Sequence, residues 1–386
     1  MIIGIPKEIM RGERRVAATA ETVAAMIDDG ATVLVERSAG EGALIPDERY
    51  VASGARVVDD PAALYAAADV ILKVKEPLYN ESLGCQEIEL MHPGQTLITF
   101  IHPASPANHQ MVREMAARGI TGLTLDGVPR ISRAQSMDAL TSMSTCAGYK
   151  GMLMAASDLS RFMPQIFSAA GSIAPSRALI IGAGVAGLQA IATARRLGAA
   201  VFAADIRPAA AEQARSLGAR IIETGVPEDV AVGQGGYANP LPERWLLRER
   251  EALAEAVAGM DVVFCSALVP GRLAPVIITD EMVAAMTPGS VIVDISIDQG
   301  GNCAATVPGE RAQRHGVIVE GIKNIPGMLP VSSTFMFAKN VLSLLRYLTH
   351  DGKIALDRSD EIVAGILTTC DGEIVHAGAR EAMGLQ

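Results

Sequence analysis

The sequence predicts an α/β protein with two doubly wound domains, each built on a mainly parallel sheet and separated by a cleft. Short apolar segments typical of buried strands alternate with helical segments in two stretches of the chain. The 386 residues suffice for two domains with cores of their own. The composition is 49% apolar and only 4% aromatic, which favours buried parallel strands and closely packed helices.

The first stretch begins at the N-terminus. Its predicted strands are residues 2–5, 32–36, 70–74 and 96–100, and its predicted helices are residues 20–29, 60–67 and 108–119. A long helix rich in Met, Ala and Leu follows at residues 139–162, and an amphipathic helix is predicted at residues 333–348. We expect the amphipathic helix to return to the first domain, which would comprise residues 1–140 and 330–386. Residues 141–329 form the second predicted domain.

The second stretch repeats the alternation. Its predicted strands are residues 178–181, a strand that ends at Asp205, and residues 261–265, 290–295 and 317–320. A loop containing Pro270 and Gly271 and a helix near residues 280–286 lie between these strands. Residues 233–250 interrupt the pattern with three glycines, two prolines and the only tryptophan, Trp245. We predict a mobile loop there, with Tyr237 exposed.

A glycine-rich turn between a strand and a helix is the most informative segment. Gly182, Gly184 and Gly187 follow the pattern G-x-G-x-x-G directly after an apolar strand. Gly182 allows a tight turn, Gly184 lets a pyrophosphate approach the backbone, and Gly187 lets the helix lie close to the strand. Amide groups at the start of that helix favour an anion. The pattern is typical of a dinucleotide-binding unit, so we predict two Rossmann-like domains.

An acidic residue at the end of the next strand indicates which dinucleotide binds. Asp205, eighteen residues past Gly187, is placed to accept a hydrogen bond from a ribose 2′-hydroxyl, and its charge would repel a 2′-phosphate. We therefore predict NAD as the cofactor. Arg207 lies two residues further on and would soften this preference. The other predicted cofactor contacts of this domain are Val185, Ala186, Ala267 and Leu268.

Charge and cysteine content exclude several classes of partner. The net charge of −10 argues against non-specific binding to nucleic acid or to a membrane surface. No uncharged apolar run reaches the length of a membrane span, so we predict no direct membrane insertion. Five scattered cysteines predict reduced thiols in a cytoplasmic protein. The six histidines have no metal-ligand spacing, and we predict no metal.

Five segments together carry a family resemblance. They are PRISRAQSMDAL at residues 129–140, GVAGLQAIATARRLGA at 184–199, GGYA at 235–238, ALVPGRLAP at 267–275 and GGNC at 300–303. Through them essentially the whole chain resembles the NAD-binding domain I, or alpha subunit, of proton-translocating transhydrogenase. The same superfamily contains alanine dehydrogenase, which has the same two-domain fold. The resemblance implies an NAD-dependent oxidoreductase.

On the transhydrogenase branch, the resemblance implies a loop that places the nicotinamide beside an NADPH-bearing partner. A hydrogen-bonded pair of Arg130 and Asp138 would expose the Gln135 amide to a carboxamide. Thr141 stands where the family has a serine and keeps the hydroxyl. Tyr237 matches the tyrosine of a mobile loop that closes over bound nucleotide. The cofactor contacts implied on this branch are Arg130, Gln135, Asp138, Thr141, Ser142 and Tyr237.

Other segments resemble alanine dehydrogenases, namely LKVKEP at residues 72–77, TFIHP at 99–103 and VDISIDQGG at 293–301. The catalytic residues that this branch implies are Arg15, Lys75, His102 and Asp298. Arginine suits a substrate carboxylate, and lysine stabilises a developing oxyanion. Histidine can transfer a proton near neutral pH, and an aspartate can orient water, ammonia or an amine. Thr145 is a departure, because the dehydrogenase branch has a glutamate there.

Our primary hypothesis is NAD-dependent oxidative deamination or reductive amination of a small L-amino acid, with the amino acid or its 2-oxoacid as substrate. One alternative is the NAD(H)-binding alpha subunit of a proton-translocating transhydrogenase, whose partners would be separate membrane subunits. Another is a catalytically silent NAD-binding sensor. The resemblance implies a homo-oligomer, a dimer on the transhydrogenase branch and a hexamer on the dehydrogenase branch.

Overall fold

The fold was analysed in a computed structural model that describes residues 1–233, 236–269 and 273–385. The chain divides into two compact units. Unit 1 comprises Met1–Met143 and Pro326–Gln386, and unit 2 comprises Ser144–Ile325. Each unit contains one large, mainly parallel sheet with helices, which confirms the predicted α/β class. The predicted loop at Pro270 and Gly271 lies outside the described residues.

The secondary structure follows one numbering along the chain. The strands are β1 (Ile2–Ile5), β2 (Thr32–Glu36), β3 (Arg56–Val58), β4 (Val70–Leu72), β5 (Tyr79–Asn80), β6 (Cys85–Gln86), β7 (Thr96–Thr99), β8 (Thr121–Thr124), β9 (Ile166–Ser168), β10 (Gly171–Ile173), β11 (Arg177–Ile181), β12 (Ala200–Ala204), β13 (Arg220–Ile221), β14 (Val262–Cys265), β15 (Val291–Asp294), β16 (Arg311–Arg314), β17 (Val317–Glu320), β18 (Thr349–His350), β19 (Lys353–Ile354), β20 (Leu367–Cys370) and β21 (Glu373–Ile374). The α-helices are α1 (Ala20–Asp28), α2 (Asp47–Ala52), α3 (Pro61–Ala67), α4 (His109–Ala117), α5 (Ala139–Asp158), α6 (Val185–Arg196), α7 (Pro208–Ser216), α8 (Glu228–Ala231), α9 (Glu243–Ala258), α10 (Asp280–Ala285), α11 (Pro330–Leu348), α12 (Glu361–Ile366) and α13 (Ala377–Met383).

The sheet of unit 1 has the strand order β21-β20-β8-β7-β4-β1-β2-β3. The strands from β8 to β3 are parallel to one another, whereas β20 and β21 add antiparallel strands from the C-terminal part of the chain. In the middle of the sheet, Ile3 of β1 pairs with Val33 on one side and Val70 on the other. All three side chains are buried, as expected for strands covered on both faces.

The sheet of unit 2 has the order β13-β12-β11-β14-β15-β17-β16, and only its last strand is antiparallel. Ile181 at the end of β11 pairs with Ala204 of β12 and Cys265 of β14. The chain order reverses between β11 and β14. In open α/β sheets, ligands bind at such a reversal, beyond the carboxyl ends of the strands.

Several helices begin at a side chain that caps their free N–H groups. Thr19 and Thr22 form a capping box at the start of α1, and Asp60 accepts the Ala62 N–H at the start of α3. The long helix α11 buries Phe337 completely and belongs to unit 1. Among the described residues, no helix is both long enough and apolar enough to span a membrane.

Residues 233–250 differ from the predicted loop. Helix α9 begins at Glu243, so the second half of this segment is helical, and Leu253 and Val257 anchor the helix in the core. In the first half, the Gly233 N–H donates to the Tyr237 carbonyl at 2.8 Å. Tyr237 is half-buried, so the prediction of an exposed ring was wrong. Gln234 and Gly235 lie outside the described residues.

Candidate functional site

The glycine-rich turn of unit 2 has the geometry of a backbone that an anion can approach. Gly182 has φ +87°, and a Cβ there would lie 2.7 Å from the Ala267 nitrogen. A Cβ on Gly187 would collide with the Gly182 carbonyl, so α6 lies tightly against the turn. A Cβ on Gly184, in contrast, would meet nothing within 4 Å. Open space is thus found at the one glycine predicted to face a pyrophosphate.

The start of α6 adds hydrogen-bond donors to this open space. Gly184 is the N-cap residue, and no side chain caps the helix there. The N–H groups of Val185, Ala186 and Gly187 in the first turn have no acceptor within the helix itself, since that turn precedes the first carbonyls. Together with the helix dipole, they suit a phosphate. These contacts remain predictions, but the local backbone fits a dinucleotide.

Asp205 follows β12 and is already engaged by neighbouring donors. Its Oδ2 accepts the Ala183 N–H at 2.7 Å and Arg207 Nη2 at 2.8 Å, and its Oδ1 accepts Arg207 Nε at 3.0 Å. Hydrogen bonding to Asp205 raises the pKa of the Arg207 guanidinium. A ribose hydroxyl would therefore bind this carboxylate by displacing an Arg207 donor, which the sequence pattern alone did not suggest.

Glu249 of α9 is a second carboxyl near this acid. It is only 4% exposed. Burial, together with the negative charge of Asp205, raises the pKa of Glu249 to about 7. Sequence analysis missed Glu249 because it placed this segment in a loop.

Asn302 fixes the loop that follows β14. Its Oδ1 accepts the Ala267 N–H at 2.9 Å and its Nδ2 donates to the Ala267 carbonyl at 2.9 Å. The Asn302 side chain also bonds Ser296 Oγ and the Pro275 carbonyl at 2.8 Å each. One buried amide thus satisfies both backbone groups of Ala267, while the neighbouring Leu268 is 41% exposed. The segment at residues 300–303 contributed to the resemblance, but the role of Asn302 was not predicted.

Asp298 lies in the short 3-10 helix Ile297–Gln299 that follows β15. Its side chain is 58% exposed, and its Oδ1 lies 3.9 Å from Lys323 Nζ. Asp294 holds this loop by accepting the Asn302 and Cys303 N–H groups at 2.8 and 3.0 Å. Asp298 belongs to unit 2, whereas the other three predicted catalytic residues belong to unit 1.

In unit 1, polar side chains follow four neighbouring strands. Asp126 follows β8, His102 follows β7, Lys75 follows β4 and Arg15 lies in the segment after β1. These strands are adjacent and parallel, so their carboxyl ends lie at one edge of the sheet. The structure therefore brings three predicted catalytic residues to one edge and adds Asp126.

His102 and Asp126 form a hydrogen-bonded pair. The imidazole Nδ1 lies 2.7 Å from Asp126 Oδ1, and the His102 backbone N–H donates to Asp126 Oδ2 at 2.8 Å. Thr124 Oγ1 also donates to Oδ2, at 2.6 Å. His102 has φ +49°, an uncommon value for a residue with a side chain, and its ring stacks on Phe100 with the centroids 5.8 Å apart. The pair places the proton on Nδ1 and leaves Nε2 as a proton acceptor.

The charges around this pair set its titration. Surrounding protein atoms would lower the pKa of His102, but the charge of Asp126 and its hydrogen bond raise the pKa above its ordinary value. Burial would raise the pKa of Asp126, but His102 and Thr124 lower it. The Lys75 ammonium lowers the pKa of both His102 and Glu13, which places its charge close to each of them.

Arg15 is held by Glu13. Its Nε and Nη2 donate to the two oxygens of Glu13 at 2.8 and 2.5 Å, and the Arg15 residue is only 3% exposed. The other terminal nitrogen, Nη1, lies 2.9 Å from Met143 Sδ. Burial would raise the pKa of Glu13, but the hydrogen bonds and charge of Arg15 lower it. Glu13 was not predicted, although it lies in the same GERRVA segment as Arg15.

The loop implied on the transhydrogenase branch is firmly anchored. Gln135 is exposed in the 3-10 helix Ser132–Met137, and Arg130 is exposed before it. Arg133 donates to Tyr347 Oη at 2.8 Å and to Asp360 Oδ2 at 2.7 Å, which fixes the loop to unit 1.

Asp138 ends this loop and caps the next helix. It accepts the N–H and Oγ1 of Thr141 at 2.7 and 2.6 Å, at the start of α5, and Ser142 beside it is buried. Its predicted pairing with Arg130 stays a prediction.

Comparison with known proteins gives two family matches. The N-terminal domain model of the alanine dehydrogenase/PNT family matches residues 4–147, and the C-terminal domain model matches residues 151–377. An NAD(P) transhydrogenase subunit alpha of Rhodospirillum rubrum is 41% identical over 379 residues, covering 97% of this chain and 98% of that protein. Alanine dehydrogenase of Bacillus subtilis is 30% identical and covers 100% of this chain and 96% of its own.

Solved structures give the same two relatives. The transhydrogenase from Sinorhizobium meliloti superposes with a TM-score of 0.84 at 38% identity, covering 97% of this chain and 100% of that one. An L-alanine dehydrogenase superposes with a TM-score of 0.83 at 28% identity, covering 100% and 99%.

Two glycine variants separate cofactor binding from folding. We expect Gly184→Ala to weaken NADH binding by roughly tenfold or more, a loss of about 1.4 kcal/mol, because a methyl group would fill the open space at the turn. The same variant should leave the free energy of unfolding unchanged. Gly187→Ala should instead lower that free energy by about 1–3 kcal/mol, because its methyl collides with the Gly182 carbonyl. Calorimetric titration and urea unfolding measure both; equal loss of stability in the two variants would contradict this assignment.

Asp126→Asn should lower the pKa of His102, because the opposing effect of the carboxylate is lost. In the wild type the folded pKa exceeds the unfolded value of 6.5, so the pair stabilises the fold below pH 6.5 and loses this contribution as the pH rises through the folded value. Titration of the His102 ring by NMR measures the shift. A His102 pKa that is the same in both proteins would show that Asp126 does not control the imidazole.

Proposed function

Since the chain belongs to the alanine dehydrogenase/PNT family, we propose that it catalyses the NAD-dependent oxidative deamination and reductive amination of a small L-amino acid. It is an NAD-dependent oxidoreductase, like its relatives in this family. The observation that supports the choice of reaction is the group formed by Arg15, Lys75, His102 and Asp126 at one sheet edge of unit 1.

Arg15 would bind the substrate carboxylate. Glu13 occupies the Nε and Nη2 side of the guanidinium and holds it in place, so the carboxylate would meet the Nη1 side. A planar guanidinium fixed in this way recognises a carboxylate by direction as well as charge. Because Arg15 is nearly fully buried, the interaction would be only weakly screened by solvent.

His102 and Lys75 would perform the proton and charge chemistry. Nε2 of His102 would accept a proton during deamination and return it in the reverse direction, while Asp126 keeps the ring oriented. The Lys75 ammonium would stabilise negative charge that develops on the oxygen of the intermediate or the 2-oxoacid. A bound nicotinamide would supply the hydride acceptor. Asp298 of unit 2 is proposed to orient the amine or water.

The test is a steady-state assay of NADH oxidation with a panel of 2-oxoacids and ammonium. We expect His102→Ala to lower the rate by roughly 10²–10⁴-fold, because it removes the general acid–base group. NADH binding should be nearly intact, since the dinucleotide turn belongs to unit 2. The matched control is His350→Ala, which removes an exposed histidine of the short strand β18 and should leave the rate unchanged.

A second candidate function is the alpha subunit of a transhydrogenase. It is favoured by the segment at residues 129–140 and by the exposed Gln135 on its anchored loop. The Rhodospirillum rubrum relative, at 41% identity, points in the same direction. In that function the partners would be membrane and NADP-binding subunits, and the chain would be a homo-oligomer of two rather than six copies.

Gln135→Asn distinguishes the two functions. If the chain is a dehydrogenase, this variant should keep oxoacid-dependent activity, because Gln135 lies away from the His102 group on a separate loop of unit 1. If it is a transhydrogenase subunit, the variant should impair hydride exchange with an added NADP-binding domain, whereas His102→Ala should not. Wild-type inactivity across the oxoacid panel together with such exchange would refute the primary proposal. Tight NADH binding with neither activity would indicate a silent sensor.

A further inference from the structure

A buried cluster of charged side chains lies behind Lys75 in unit 1. Lys73 follows β4 and is only 1% exposed. Its Nζ lies 2.8 Å from Glu87 Oε1 and 3.6 Å from Glu8 Oε2. Tyr65 Oη donates to Glu87 Oε1 at 3.0 Å, and the Leu78 N–H donates to Glu87 Oε2 at 2.9 Å. Glu87 is thus fully used in holding Lys73 and the chain around it.

The cluster contains more negative than positive charge. Lys73 is the ammonium between Glu8 and Glu87, and Glu36 of β2 also faces it. A buried charge without a counter-charge is costly, so one carboxyl takes up a proton more readily. Burial raises the pKa of Glu8 to about 7; the charges of Glu13 and Glu87 raise it, while Lys73 and the Val74 N–H oppose this.

Glu8 also binds the backbone that carries Lys75. Its Oε1 accepts the Val74 N–H at 2.6 Å, and its Oε2 accepts the Lys75 N–H at 3.4 Å. On the other side, Thr99 Oγ1 donates to the Lys75 carbonyl at 2.9 Å. The N–H and the carbonyl of Lys75 are therefore both bound by buried side chains from other segments of unit 1.

We propose that Glu8 is a positioning residue: from inside the fold, its carboxylate fixes the Val74–Lys75 backbone and thereby directs the Lys75 ammonium toward the substrate. The role for Lys75 rests on the proposed function. A lysine side chain has four flexible methylene groups, so the location of its ammonium depends on how firmly its backbone is held. Glu8 must be ionised to do this fully, because a protonated carboxyl oxygen is itself a donor and faces two N–H donors.

The proposal also explains why an ionisable group is placed here. As the pH rises past neutrality, Glu8 loses its proton and accepts both N–H groups. Lys75 should then be held more firmly, with Lys73, Glu13, Glu36 and Glu87 as the charged groups that set where this happens. His102 titrates separately, against Asp126.

The key variant is Glu8→Gln, which keeps the size of the side chain but replaces one acceptor oxygen by an NH₂ donor. Its matched control is Glu36→Gln, which also removes a carboxylate facing Lys73 but accepts the Lys7 N–H instead of the Lys75 backbone. Labelling of individual lysines by trinitrobenzenesulfonate, read by mass spectrometry over a pH series, reports the Lys75 amine without any enzymatic assay. The oxoacid assay gives kcat and KM for the same proteins.

We expect Glu8→Gln to label faster at Lys75 and to lose the wild-type change in labelling near pH 7, with Lys323 as internal reference. The kcat should fall by roughly ten- to a hundredfold, as for a small misplacement of a catalytic group. The KM for the oxoacid should change little, because Arg15 binds the carboxylate. Glu36→Gln should resemble the wild type in both measurements.

The outcomes separate this proposal from the proposed function. If the wild type is inactive on every oxoacid but Glu8→Gln still alters Lys75 labelling, the function fails and the positioning role stands. Unchanged labelling and kcat in folded Glu8→Gln would overturn the positioning role, even if the variant is less stable. If Glu8→Gln does not fold, Thr99→Val decides by the same two measurements, because it removes the bond to the Lys75 carbonyl without altering a charge.

Discussion

Parallel pairing of short buried strands is the constraint on which both candidate sites depend. Parallel strands end at the same edge of a sheet, so residues far apart in the chain meet there if they follow neighbouring strands. In unit 1 this applies to Lys75, His102 and Asp126, which follow β4, β7 and β8. In unit 2 it places Asp205 after β12, beside the glycine turn that follows β11. A change of strand order would separate these groups without changing any of them.

The second requirement is that charges placed at these edges are paired. Arg15 is held by Glu13, Arg207 by Asp205 and Lys73 by Glu87, each through hydrogen bonds of 3.0 Å or less. Pairing offsets the cost of removing the charges from water and also fixes the side chains in direction. The consequence is that the groups expected to meet substrate or cofactor carry a protein partner, which sets how they can bind a ligand.

Local pattern predicted much of the fold but not the elements whose stability comes from elsewhere. The strands at Ile2–Ile5 and Thr32–Glu36 were predicted with the correct ends, because they are short apolar runs between turn residues. Strand β8, Thr-Gly-Leu-Thr, has no such run and is held by its neighbours β7 and β20. Helix α9 was hidden by the glycines and prolines before it, although its buried residues recur at helical spacing.

The sequence by itself determined the chemistry that needs only neighbouring residues: the three glycine roles at the turn after β11, the acid at the end of β12 and the family resemblance. These features are local because a turn and a helix start lie within a few residues of each other. Only the tertiary structure decided which partners these groups have. Asp126 beside His102, Asn302 around Ala267 and Glu8 behind Lys75 are separated from their partners by 24 to 67 positions in the chain. Such contacts follow from strand order, which no local pattern encodes.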